Sequence, residues 1–177
     1  MMIDSFLLQT DGRWKLTVIH DGQASQEIHD IIGWYNDNRI TFFETDIVGG
    51  SYGHPNRKYM LNQIQGDKDD FVLITNEDNY YVPAFVEYFL GACTPRVGMV
   101  YCNTIHSYLK YNILVTKVKE NYIDMGSFIV RLAVAKATGF NHAHLSADGK
   151  YAEECFQTCR KRGLMPVCIN KPLFVHN

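Results

Sequence analysis

The chain has 177 residues, 46% hydrophobic and 20% charged, with a formal net charge of −2. That is the composition of one globular domain with a real core, and it excludes a disordered tract or a general basic surface for nucleic acid. No apolar run is long enough to span a membrane, and Met1-Met2-Ile3-Asp4 lacks a positive signal start, so the cytoplasm is the expected compartment. Arg160-Lys161-Arg162 reads as a solvated helix end. Cysteines 93, 102, 155, 159 and 168 form an odd set without framework spacing, which fits free thiols.

Asp4 to Thr10 reads as a short helix broken by Asp11-Gly12. Trp14 to Ile19 reads as a strand ending in the turn His20-Asp21-Gly22. Ile28, Ile31, Ile32 and Tyr35 recur at spacings of three and four and predict a helix over 25–35. Arg39 to Glu44 is a second strand. Glycines at 49, 50 and 53 predict a loop over 46–53, after which Pro55 opens a helix that Gly66 ends. A strand over 71–75 leads to Pro83 and a helix stopped at Gly91. Strands follow at 97–102 and 111–118, the second on an edge. An extended piece over 127–130 runs into a helix ending at Gly139. Tyr151 to Arg162 is a helix with Ala152, Cys155, Phe156 and Cys159 on one face, and Met165 to Ile169 is a last strand. Strands alternating with helices predict an α/β fold in one domain over 1–177, its sheet mostly parallel in the first half.

The run Phe71-Val-Leu-Ile-Thr-Asn-Glu-Asp-Asn-Tyr-Tyr-Val-Pro83 places Asn76, Glu77 and Asp78 at the carboxyl end of a strand, where open α/β sheets hold ligands. A carboxylate there suits a divalent cation that bridges to substrate phosphates. The same residues also make an acidic turn in front of a helix. The segment by itself leaves both readings open.

Five segments, in order along the chain, carry a resemblance. Ser5-Phe-Leu-Leu-Gln-Thr10 followed by Trp14-Lys-Leu-Thr-Val-Ile-His-Asp-Gly22 resembles the "S-L-L-x-Q-T … W-E-L-I-V-V-D-D-G-S" start of family 2 glycosyltransferases. Gly49-Gly50 with Asn56-Arg57 resembles that family's Gly-rich loop and "A-R-N-x-G" helix start. Thr75 to Pro83 resembles its "L-D-x-D-D-x-x-x-P" region, Asp124-Met-Gly-Ser-Phe-Ile-Val-Arg131 with Gly139-Phe140 its "G-S-F-I-V-R-R … G-G-F" segment, and Ala147-Asp148 with Lys171 to Asn177 its closing helix and tail.

The resemblance implies a GT-A fold: a Rossmann-like mixed sheet flanked by helices, with a nucleotide-binding half over 1–91 and an acceptor-side half over 92–177. It implies a metal-dependent, inverting transfer of a sugar from a nucleotide diphosphate sugar (UDP- or GDP-type) to a glycan or other hydroxyl acceptor, with Mn²⁺ or Mg²⁺ as cofactor. Nucleic acid is not an expected partner; a second copy of the chain is a candidate one. Asp78 falls at the family's metal-binding aspartate, and His176 at a C-terminal histidine that completes the metal shell in several such enzymes. Asn76 replaces the first aspartate and keeps hydrogen-bonding capacity for a ribose hydroxyl; Glu77 takes the variable middle position of this DxD-like motif. Asp21 matches the aspartate that contacts the donor base, or it holds its turn. Arg57 matches the basic residue reaching base or diphosphate, or it is an exposed helix arginine. Asp148 is the expected general base, with a helix cap as its alternative and Glu153 and Glu154 as rivals. His142, His144, Cys155, Cys159 and Cys168 lack the usual structural-zinc spacing.

The family's first strand, which lies centrally in the sheet, has no counterpart in the four residues before Ser5. The resemblance therefore implies an exposed sheet edge or a gap. It also leaves a second functional reading, a nucleotide-sugar-binding protein without catalysis.

Overall fold

The computed structural model describes residues 1–177. Each expected helix and strand forms, with shifted ends: α1 (Met2–Leu7), β1 (Leu16–His20), α2 (Gln26–Trp34), β2 (Ile40–Glu44), α3 (His54–Gln63), β3 (Phe71–Leu73), β4 (Tyr80–Tyr81), α4 (Phe85–Ala92), β5 (Val97–His106), β6 (Asn112–Leu114), β7 (Phe128–Arg131), α5 (Leu132–Thr138), α6 (Ala147–Lys161) and β8 (Met165–His176). The two-residue strand β4 was not expected; Tyr80 and Tyr81 reach it by pairing with Val175 and Phe174.

The strands form two sheets. β1 and β2 make a parallel pair, and a larger mixed sheet runs β3-β7-β5-β8-β4, with β6 attached to β5. The parallel first half expected from the sequence is thus confined to β1 and β2, because β3 pairs antiparallel with β7. No ladder joins β1 to β3, which is the gap that the resemblance implied. The two sheets are held through a shared cluster instead: Leu16 of β1 belongs to it, and Val18, Ile40, Phe71 and Leu73 pack against it.

β5 lies at the centre, between β7 and β8. Its side chains alternate between two cores. Met99 joins the cluster under α5 and α6, while Val100 and Cys102 join the cluster with α1 and α4. These three and Val97 are at most 2% exposed, so this strand is the floor of both cores.

Helix α6 buries Ala147, Tyr151, Ala152, Cys155 and Cys159 on one stripe. It starts at Ala147, four residues before the expected Tyr151, so Asp148-Gly149 is its first turn and not a turn preceding it. Gly149 is there for clearance: a Cβ would lie 2.6 Å from Glu120 Cα. All five cysteines are free, and Cys155 and Cys159 are core residues.

β8 is the largest departure, since it runs to His176 where the sequence suggested an end at Ile169. Asn170-Lys171-Pro172 looks like a breaker, yet it is accommodated as an irregularity in the β5–β8 register around Asn103. Asn103 Nδ2 donates to Asn170 Oδ1 at 2.9 Å, and Asn103 Oδ1 accepts the Thr116 N–H at 3.1 Å.

Two measurements check this packing. Gly126 sits under the Phe174 ring, with the Tyr81 hydroxyl 2.7 Å from where a Cβ would stand. Gly126→Ala should lower stability by about 1–3 kcal/mol, the usual range for overpacking, read by denaturant unfolding. α2 and β2 bury no residue and β1 buries only Leu16, so amide hydrogen exchange should be faster in β1–β2 than in β5–β8.

Candidate active site

The predicted residues meet at the ends of the strands. Asp21 follows β1 into its turn, and its carboxylate accepts the Gly49 N–H at 2.8 Å, the Gly50 N–H at 3.0 Å and Asn56 Nδ2 at 3.0 Å. The Gly49 N–H, then the Gly50 N–H and Asn56, hold this carboxyl below its ordinary value. Asp21 therefore ties the Gly-rich loop and the start of α3 to the sheet end. Its role as a turn-holder is visible; a polar cleft lined by Gln23, Ala24, His29, Glu44, Thr45 and Asp46 lies between the segments that follow β1 and β2, and Asp21 is not in its lining.

Arg57 is not an exposed helix arginine; its side chain is 12% exposed. Nη2 donates to Asn76 Oδ1 at 2.5 Å, and Nη1 lies 2.7 Å from His54 Nδ1 and 3.5 Å from Asp148 Oδ1. One guanidinium thus joins α3, the tip after β3 and the first turn of α6. His54 Nδ1 accepts from Arg57, which leaves Nε2 to donate to the His144 carbonyl at 3.1 Å. Burial lowers the pKa of His54 and keeps it neutral beside the arginine.

Asp148 has its pKa raised, first by burial and then by the charge of Asp124, with Arg57 opposing. A carboxyl whose basicity is raised while it stays within reach of the strand ends is suited to proton abstraction. Its rivals are engaged elsewhere. Glu153 accepts the Glu120 N–H at 2.8 Å and pairs with Lys150, and a Glu154 oxygen lies 3.0 Å from His142 Nε2.

Asn76 is held by Arg57, while Glu77 and Asp78 are exposed at the tip. Asp78 is close enough for its charge to act on Asp124. Asp124 is a residue to which the sequence assigned no role. Burial raises its pKa, against the Gly126 N–H and the charges of His176 and Arg57. His176, at the end of β8, has Nε2 3.6 Å from Asp124 Oδ2. It pairs in register with His106 at the end of β5, and the two rings stack at 4.2 Å with 12° between planes. His106, Asp124 and His176 each bring a donor atom within 4.8 Å of the others, and imidazole with carboxylate is a donor set that fits a divalent ion. Of the two expected metal residues, His176 is in this cluster and Asp78 stands beside it. The signal for His106 and Asp124 was absent locally, because they meet only through the β5–β8 pairing and the turn before β7.

This combination of a mixed sheet, flanking helices and a polar site at the strand ends defines a GT-A-like fold. S. aureus TarS shares it: its chain 1–349 superposes with a TM-score of 0.74 at 12% identity, covering 99% of this chain and 55% of that one. A longer S. aureus TarS chain gives 0.74 at 14% identity over 99% of this chain and 33% of its own. The chain thus spans about half, or a third, of the neighbours' lengths. No family model matches it. No helix is long and apolar enough to cross a membrane.

The raised Asp148 carboxyl has a consequence for stability. A group whose folded pKa lies above its unfolded value stabilises the fold below the unfolded pKa and loses that contribution as pH rises through the folded one. Asp148→Asn removes this loss. The melting temperature of the variant relative to the parent should therefore climb as pH rises from the ordinary carboxylate range through the raised titration of Asp148; a constant difference would contradict the assignment.

Proposed function

We propose that the chain is a metal-dependent, inverting glycosyltransferase acting on a nucleotide diphosphate sugar and a hydroxyl acceptor. The observation that carries this reading is Arg57, which links Asn76 and Asp148, residues from three distant parts of the sequence, at the strand ends of a GT-A-like fold. Asp148 takes the proton of the acceptor hydroxyl. The acceptor oxygen then attacks the anomeric carbon from the face opposite the leaving group. A C–O bond to the acceptor forms as the C–O bond to the diphosphate breaks, with the electron pair leaving on phosphate oxygen. A single in-line displacement inverts the carbon.

Arg57 offers a fixed positive charge to the diphosphate, and Asn76 and Asp21 contact ribose and base. Glu77 faces outward beside them. Asp78 and His176 would hold Mn²⁺ or Mg²⁺, an ion that, when bound, neutralises charge on the leaving diphosphate. The reading favours a cytoplasmic enzyme supplied with cytosolic nucleotide sugar.

A second reading, nucleotide-sugar binding without turnover, is supported by Asn76, an amide where the resembled motif carries its first aspartate, and one already held by Arg57. Nucleotide release from donor in Mn²⁺ separates the two. The parent chain should release nucleoside diphosphate, and Asp78→Ala and Asp148→Asn should each reduce release at least about 100-fold, the scale of losing a general base or a charge-stabilising group. Calorimetric binding of nucleoside diphosphate with no release across many acceptors would favour the second reading. Unchanged turnover in Asp78→Ala would sink its metal role.

A further inference from the structure

We propose that His106, Asp124 and His176 form a preassembled site that binds one divalent ion of the manganese–zinc class in the absence of any nucleotide, and that discriminates against Mg²⁺. The inference deepens the transferase reading by narrowing its ion from Mn²⁺ or Mg²⁺ to the manganese–zinc class and by adding His106 and Asp124 as ligands, and it rests on that reading only for what the ion is used for.

Three observations place the donors. First, β5 and β8 are in parallel register at His106 and His176, so the two rings are fixed side by side by main-chain pairing and stack at 4.2 Å. Second, Ser107 Oγ lies 3.0 Å from His176 Nδ1. With Nδ1–H donating to that hydroxyl, the Nε2 lone pair is left facing Asp124, which is the arrangement that outer-shell partners impose on metal-binding histidines. Third, the two oxygens of Asp124 are divided. Oδ1 accepts the Gly126 N–H at 2.9 Å, and Oδ2 points at His176 Nε2, 3.6 Å away. Two donors at that separation can share an ion at bond lengths of about 2.0–2.2 Å.

The surroundings ask for positive charge. The His176 and Asp124 side chains are only 15% and 13% exposed, and the negative Asp78 and Asp148 act on Asp124 or are acted on by it. Arg57 is the permanent cation nearby, and it is already held by Asn76 and Asp148. A dication among these groups replaces an uncompensated negative charge with a paired one.

Donor type sets the choice of ion. Two imidazoles and one carboxylate suit Mn²⁺, Co²⁺ or Zn²⁺, whereas Mg²⁺ keeps to oxygen ligands and holds its waters. His106 is the weakest of the three donors. Its Nδ1 accepts the Tyr108 N–H at 3.3 Å, so ligation through Nε2 moves its proton to Nδ1 and forfeits that long bond.

The test uses the full chain stripped with chelator and no nucleotide. Titration with MnCl₂, read by loss of the free Mn²⁺ electron-spin signal, should saturate at one ion per chain and raise the melting temperature; MgCl₂ at equal concentration should leave the melting temperature unmoved. His176→Gln should abolish binding. His106→Gln should weaken it about 10-fold or more, and Ser107→Ala, which removes no donor, should weaken it within the 10–100-fold range of outer-shell losses. Circular dichroism reports whether each variant is folded, and Ser107→Ala keeps the test open if a histidine variant is not. Binding that appears only with nucleoside diphosphate, equal binding of Mg²⁺, or unchanged binding in His106→Gln would overturn the site while leaving the transferase reading intact. One ion bound with no sugar transfer would do the reverse.

Discussion

The parallel pairing of β5 with β8 is the constraint on which the rest of the molecule depends. β5 supplies alternate residues to both hydrophobic clusters, and β8 brings Leu173 and Phe174 to one of them. A register slip of one residue would send every side chain of the slipped strand to the opposite face. His176 would then leave both His106 and Asp124, and Phe174 would leave Tyr81 and Gly126. The core and the candidate site are therefore specified by one ladder. The irregularity at Asn103 adjusts that ladder before Pro172, and the side chains of Asn103 and Asn170 bind each other across it. A buried Phe174 thus serves the site as much as the fold, because its position fixes where the strand end lies.

Charge at the strand ends follows from that geometry. Asp124 and Asp148 are both largely buried; the charge of Asp124 raises the proton affinity of Asp148, and that of Asp78 raises the proton affinity of Asp124. A single guanidinium, that of Arg57, works against both. Where a protein merely needed stability, one of these acids would be better replaced by an apolar side chain. Asp21 shows the contrast. Two backbone N–H groups and an amide lower its pKa, and it reads as a structural clamp whose charge is comfortably held. The site therefore divides into a satisfied half around Asp21 and the Gly-rich loop and a half around Asp124 and Asp148 where negative charge exceeds its protein partners.

Local pattern made the first half legible, and of the second it showed Asp78, Asp148 and His176 but not the residues that join them. The helices were readable because their apolar spacing is contained in a dozen residues, as in α6 with Ala152, Cys155 and Cys159. Asp21, Arg57, Asn76 and Asp148 were legible as candidates from short segments, and they do come together around α3. His106 and Asp124 were not, since nothing in Thr-Ile-His106-Ser or Ile-Asp124-Met-Gly announces a ligand. Their meeting is a product of pairings between residues 70 positions apart along the chain and of the turn before β7. β8 beyond Ile169 was hidden for a related reason: Pro172 argues against a strand locally, and only the partner Asn103 makes it tolerable.

The open edges of β1 and β3 bear on how the two sheets cooperate. A continuous sheet would couple β1 to β3 through a ladder, so that the two sheets moved as one plate. Here the coupling is made by side chains. Gln9 Nε2 donates to the Val82 carbonyl at 2.9 Å while its Oε1 accepts the Val86 N–H at 2.9 Å, and the Thr10 N–H reaches the Pro83 carbonyl at 2.8 Å. Trp14 stacks near Phe6 with the Arg39 guanidinium 3.8 Å over its ring. These contacts fasten the segment leading into β1, and Asp21 fastens its far end through Gly49, Gly50 and Asn56. Between the two fastenings, β1, β2 and α2 contribute one buried residue, Leu16. Such a unit lies at the low end of local stability, and its position is set by Leu16, Val18 and Ile40 against the shared cluster and by Asp21 at the site itself. Loss of the Asp21 carboxylate would therefore loosen the Gly-rich loop and the end of β1 together.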